Sequence, residues 1–159
     1  MKNLKIEINY QFVRLEEVND TDRQLIELAK MATNNAYANY SHFYVGAALL
    51  LANGQTVIGA NQENAAFPSG LCAERSAIFA AQSQNPEQPI VALAIAARNV
   101  NGFLVEPISP CGACRQVILE MEDRYHRPIR ILLYGTHGVY ILQSVKDLLP
   151  FSFVDANMH

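Results

Sequence analysis

Leu71-Cys72-Ala73-Glu74-Arg75-Ser76-Ala77-Ile78 opens an alanine-rich run with an acidic residue in its first turn, which predicts a helix over 72–82. An apolar stretch over 90–97 follows it and reads as a buried strand. The unit recurs: Ser109-Pro110-Cys111-Gly112-Ala113-Cys114-Arg115-Gln116-Val117 begins a second helix expected over 111–124, and 129–134 is a second apolar strand. Beyond it, 138–142 supplies another strand, and Ser144 caps a short last helix that stops at Pro150. Upstream, 43–52 is an apolar run suited to a buried strand, and Asn53-Gly54 turns it into a partner at 55–60. Thr21 is the expected N-cap of a helix through Tyr37, with Leu25, Leu28, Ala29, Ala32 and Ala36 at helical intervals. Helices alternating with strands predict an α/β protein, a three-layer α/β/α sandwich on a five-stranded mixed sheet.

The 159 residues are expected to form one domain, with 1–18 as an N-terminal extension. Residues 4–12 alternate loosely between apolar and polar, consistent with a short edge strand or an ordered extension. Half the residues are hydrophobic, enough for a sizeable core. A net charge of -3 and a pI near 5.8 give no basic surface for nucleic acid. The first ten residues lack the apolar run of a signal peptide, and no segment approaches a membrane span, so a cytoplasmic location is expected.

All three cysteines lie in the two motifs. An odd number argues against a disulfide framework and suits a reducing compartment. Taken alone, a cysteine is usually a small core hydrophobe. Together, three thiolates can hold one zinc ion and leave its fourth position for water, whereas a closed structural site uses four protein ligands. Both motifs start helices, where free N–H groups and the helix dipole favour thiolate. Cys111 and Cys114 share a helix face, and Cys72 must come from the other helix. Glu74 is two residues past Cys72 and reaches the same point only because the metal would lie off the helix end. It is the candidate proton carrier; the plainer alternative is an acidic residue that merely suits the helix dipole. Arg75 and Arg115 are available to donate hydrogen bonds to thiolate sulfur.

Three stretches resemble the small homotetrameric cytidine deaminases: Asn61-Gln62-Glu63-Asn64-Ala65-Ala66-Phe67, residues 71–78, and residues 109–117. The likeness runs from about Tyr37 to Phe153. It implies one zinc ion per subunit on Cys72, Cys111 and Cys114, and a homotetramer that completes each pocket. It also implies that Glu74 takes a proton from water, passes it to the pyrimidine ring nitrogen and then protonates the departing amine, giving uridine and ammonia. Cytidine and deoxycytidine would be the substrates, in pyrimidine salvage. By the same resemblance Arg75 supports the thiolates, with Arg115 and Gln116 as further candidates. Asn61 and Glu63 bind the ribose 3'-hydroxyl, and Asn64 and Phe67 belong to the same substrate-binding stretch. Phe43 packs on the base, the Ala73 backbone reads it, and Phe153, with Phe151 second, reaches a neighbouring subunit's pocket.

Two positions depart from the family: Phe67 stands where a tyrosine is usual, and Tyr44 replaces a proline. The chain is also longer than compact family members around 85–88 and 99–106, where Pro, Gly and Asn suggest surface loops. Deamination of a base in a polynucleotide would call for a basic groove and more usually a His-x-Glu motif, and neither is present. A modified cytosine nucleoside or antibiotic is an alternative substrate, and a non-catalytic zinc-binding module is the reading from a different class. Of the four histidines only His42 falls near the expected pocket, and a surface role is the simpler account of it.

Overall fold

A computed structural model describes residues 1–159. Its centre is β4 (Ile90–Asn99), flanked by β2 (Tyr44–Leu51) on one side and β6 (Arg130–Gly135) on the other. Only the β4–β6 pair is parallel, and α3 (Gly112–Tyr125) makes the crossover between them. β3 (Thr56–Ala60) closes one side as the hairpin partner of β2, and β7 (Gly138–Leu142) pairs antiparallel with β6 on the other. β1 (Gln11–Val13) then adds to β7, giving the order β1-β7-β6-β4-β2-β3. β5 (Gly102–Phe103) forms a short hairpin with the end of β4.

The sheet therefore has seven strands rather than the expected five. The two additions are β1, from the alternating stretch before the first helix, and β5, inside the expected loop at 99–106. The three layers are as expected. Alternation along the strands divides two cores: Leu49, Leu93, Ile95, Ile131 and Leu133 meet Ala77, Ile78 and Ile118 on one face. On the other, Ala48, Ala92, Ala94 and Ala96 meet Leu25, Ile26 and Ala29 of α1 (Asp20–Ala32).

The small residues facing α1 let that helix come close. A Cβ at Gly46 would fall 2.0 Å from the Ala29 carbonyl oxygen, so only glycine fits. The helix starts two residues earlier than expected, with Asn19 rather than Thr21 as its cap, the Asn19 side chain accepting from the Asp22 N–H at 2.9 Å. It ends at Ala32 in a 3-10 turn, Thr33–Asn35, so the chain reaches Tyr37 outside the helix. The last expected helix is a single 3-10 turn, Val145–Leu148, with the Ser144 hydroxyl accepting from the Lys146 N–H at 3.1 Å.

Glycine also seats α2 (Ala73–Gln84). A Cβ at Gly59 would lie 2.4 Å from the Ala77 nitrogen and 2.6 Å from the Ala73 carbonyl oxygen. The first turn of α2 thus rests directly on β3, which fixes the height of Cys72 above the sheet.

Candidate metal centre and active site

Cys72 and Cys111 are the N-cap residues of α2 and α3, and neither helix start has a side-chain cap. The first-turn N–H groups of both helices are therefore free to favour negative charge between them. Cys114, one turn into α3, is buried and completes a triangle in which all three sulfurs lie within 4.8 Å of one another. The Cys72 and Cys111 sulfurs are 3.8 Å apart, far beyond a disulfide. Tetrahedral zinc with sulfur bonds near 2.3 Å sets its sulfurs about 3.8 Å apart, so the donor set fits zinc.

The hydrogen bond from Cys114, helped by Arg75 and Cys111, brings the Cys72 thiol down to about 5 against the effect of burial. The same bond, burial and the nearby Glu74 push Cys114 up. The pair thus keeps one proton that a bound metal would displace. Arg75 Nη2 donates to Cys72 Sγ at 3.5 Å, while Arg75 Nε is buried without a partner in the chain. Arg75 thus lies beside the Cys72 sulfur.

Arg115 and Gln116 stand elsewhere. Arg115 Nε donates to the Pro110 carbonyl at 2.8 Å and its Nη1 to the Leu148 carbonyl at 2.9 Å. Gln116 Nε2 donates to the Phe153 carbonyl at 2.9 Å. Both therefore brace the segment after Ser144 against α3 instead of touching sulfur.

Glu74, in the first turn of α2, is buried at 4 % exposure. Burial pushes its carboxyl up, and the neighbouring Cys72 charge adds to the effect. A carboxyl so placed holds a proton more readily than one in water, which suits a group that must take up and return one.

A cavity of about 440 Å³ opens beside Cys72 and Arg75, walled by Asn61, Glu63, Asn64 and Phe67. Tyr40 and Gln62 also line it, and sequence reasoning missed both. A backbone bridge between Gln62 and Leu71, at 2.9 Å in each direction, brings the polar stretch against the first cysteine motif. Glu63 Oε1 accepts from the N–H groups of Tyr40 and Ser41 at 2.9 and 3.1 Å. Hydrogen bonds from Ser41, side chain first, hold its carboxyl below the usual glutamate range.

Asn61 clamps the start of β2, its amide accepting from the Val45 N–H at 2.8 Å and donating to the Phe43 carbonyl at 2.9 Å. Asn64 accepts from the Ala66 N–H, and the Phe67 ring meets Tyr40 edge-on, 5.7 Å between centroids. Phe43 is half-buried and Ala73 buried, and neither lines the cavity. Phe153 and Phe151 are exposed and away from it within one chain. His42 is exposed at a positive φ of 54°, a turn position.

Two helix N-termini that gather three thiols and a buried carboxyl, with Cys72 on the wall of an open cavity, define a zinc-dependent hydrolytic centre on an α/β/α sandwich. Residues 19–126 match the family model described as the cytidine and deoxycytidylate deaminase zinc-binding region. The chain is 40 % identical over 139 residues to a cytidine deaminase of Halalkalibacterium halodurans, covering 87 % of this chain and 98 % of that one. It is 47 % identical over 130 residues to a cytidine deaminase of Sporosarcina psychrophila, covering 82 % and 89 %. The crystal structure of cytidine deaminase from Burkholderia pseudomallei superposes with a TM-score of 0.71 at 40 % identity, covering 82 % of this chain and 97 % of that one. This chain belongs to the cytidine deaminase family.

Proposed function

We propose that the protein hydrolyses cytidine and deoxycytidine to uridine and deoxyuridine with release of ammonia, as a step of pyrimidine salvage. The observation that carries this reading is the buried Glu74 carboxyl beside three convergent thiols, one of which, Cys72, lines a cavity with Asn61, Glu63 and Asn64. Cys72, Cys111 and Cys114 hold one zinc ion per subunit, with Arg75 supporting the Cys72 sulfur. Zinc bound there supplies the Lewis acidity that makes water nucleophilic near neutral pH.

Glu74 accepts a proton from the attacking water and delivers it to the pyrimidine ring nitrogen, so that the ring carbon can take the oxygen. It then takes the remaining proton from the added hydroxyl and passes it to the exocyclic amine; the carbon–nitrogen bond breaks, the oxygen becomes the uridine carbonyl, and ammonia leaves. Proton transfer of this kind contributes roughly a hundredfold to ten-thousandfold. Glu63 and Asn61 bind the ribose 3'-hydroxyl, with Asn64 and Phe67 along the same wall. The Ala73 backbone and Phe43 orient the base. Phe67 brings no hydroxyl to that contact.

The molecule acts as a homotetramer in which Phe153 of one copy approaches the cavity of another, an arrangement supported by its exposure here. No helix is long and apolar enough to cross a membrane. Unpaired thiols kept for a metal fit the reducing cytoplasm, and a net charge of -3 fits a free nucleoside rather than a polynucleotide.

The test is the ultraviolet absorbance of zinc-loaded protein mixed with cytidine. Conversion to the uridine chromophore, lost in Glu74→Ala with zinc and fold retained, is the expected result. A fully active Glu74→Ala variant would overturn the role of Glu74, and turnover confined to free cytosine or polynucleotide would overturn the substrate.

A further inference from the structure

The stretch before β1 lies outside the family match, which begins at residue 19. Its even positions are Leu4, Ile6, Ile8, Tyr10 and Phe12, and its odd positions from Asn3 to Gln11 are polar. That is the period of a strand with one apolar face. Only Gln11–Val13 finds a partner, because Gln11 faces Ile141, one residue short of the end of β7. No backbone hydrogen bond joins residues 1–10 to the rest of the chain, so the stretch leaves both edges unpaired. Its apolar side chains are exposed, Leu4 at 81 %, Ile6 at 51 % and Ile8 at 49 %.

We propose that this stretch pairs antiparallel with the same stretch of a second copy, continuing the sheet across a twofold axis centred on Ile6. The charges choose the register. Lys5 and Glu7 lie on the polar face and already approach each other at 2.8 Å within one chain. Centring on Ile6 places Lys5 opposite Glu7 of the second copy, and Glu7 opposite its Lys5, so four alternating charges meet. Leu4 then faces Ile8, Ile6 faces Ile6, and Asn3 faces Asn9.

A register shifted one way sets Lys5 against Lys5, and shifted the other way sets Glu7 against Glu7, and like charges directly opposite are destabilising. A shift centred on Ile8 leaves Lys5 opposite Gln11 and Glu7 opposite Asn9, with no ion pair. Registers that set odd positions against even ones turn the apolar residues onto polar partners. The contact is isologous, each copy giving and receiving the same residues, and it pairs one of the two edges that residues 3–9 leave open.

Sedimentation velocity on the full, zinc-loaded chain tests this with two exposed single-charge variants. Lys5→Glu and Glu7→Lys each set like charges across the axis and are expected to raise the dissociation constant of the self-associated species at least tenfold. An equimolar mixture of the two variants restores opposite charges only between copies, since within each chain the two side chains still repel. That mixture is expected to recover association to within about threefold of the unmodified protein. Unchanged association in the single variants, or a mixture that associates no better than its components, would overturn the proposal. The latter result would mean that the strand meets some other surface, such as the open edge at β3.

Discussion

The Arg75 guanidinium reaches back one turn to the sulfur at its own helix N-cap, Nη2 lying 3.5 Å from Cys72 Sγ. One helix thus carries a metal ligand, the group that compensates its charge and, between them, the buried Glu74. Arg75→Ala removes the compensation and leaves the sulfurs. Zinc affinity, measured by competition with a chromogenic chelator, should fall about tenfold to a hundredfold while the helical circular dichroism signal is kept.

Gly59→Ala tests the contact that sets the height of α2. The added methyl meets the Ala77 nitrogen and the Ala73 carbonyl, both backbone, so neither can swing aside. Overpacking of this kind costs about 1–3 kcal/mol. Urea unfolding of the zinc-loaded protein should show that loss, and kcat should drop with it because the first turn of α2 carries Glu74.

Glu122→Ala separates stability from chemistry. The buried Glu122 carboxylate accepts from the N–H groups of Ile129 and Val145 and from the Ser144 hydroxyl. Its removal strands those donors, and a loss on the order of 3 kcal/mol is expected in chemical denaturation. The folded fraction should keep its zinc, since Glu122 lies at the far end of α3 from the cysteines.

The acid side of substrate binding should follow Glu63. Its folded carboxyl lies below the ordinary value of 4.5, so the interactions of the charged form are fully present above that value and are lost as pH falls through the lower one. KM for cytidine should therefore show no contribution from Glu63 between pH 7 and 5 and should rise only in more acid solution. Glu63→Gln should raise KM at neutral pH and abolish that acid rise; an unchanged KM would place the ribose contact elsewhere.

The parts of the fold that were legible are those written in local pattern. α2 and α3 begin within a residue of expectation because each cysteine motif opens directly into a helix-forming run, alanine-rich in α2, and Asn53-Gly54 fixed the β2–β3 hairpin. β5 was hidden because two residues have no periodicity, and β1 was ambiguous because an alternating stretch reads the same with or without a neighbour. The expected cap of α1, Thr21, lies two residues late, because only the folded Asn19–Asp22 bond shows where the helix starts.

In the site, cysteine spacing gave the metal cluster and Arg75 its neighbour. The destination of Arg115 depends on Leu148, 33 residues away, which no local pattern encodes. Gln62 reaches the cavity through its bridge to Leu71, and Tyr40 through its N–H bond to Glu63 and its ring contact with Phe67, all pairings between loops distant in sequence.

The same Arg115 bonds give the molecule a mechanical character. One guanidinium grips the carbonyl just before Cys111 and the carbonyl of Leu148, so the turn at Val145–Leu148 and the loop carrying a metal ligand are a single fastening. Peeling that segment away frees the cysteine loop, and emptying the metal centre slackens the segment. Proteolytic clipping after Ser144 and chelation are thus two ends of one lever, each making the protein more vulnerable to the other.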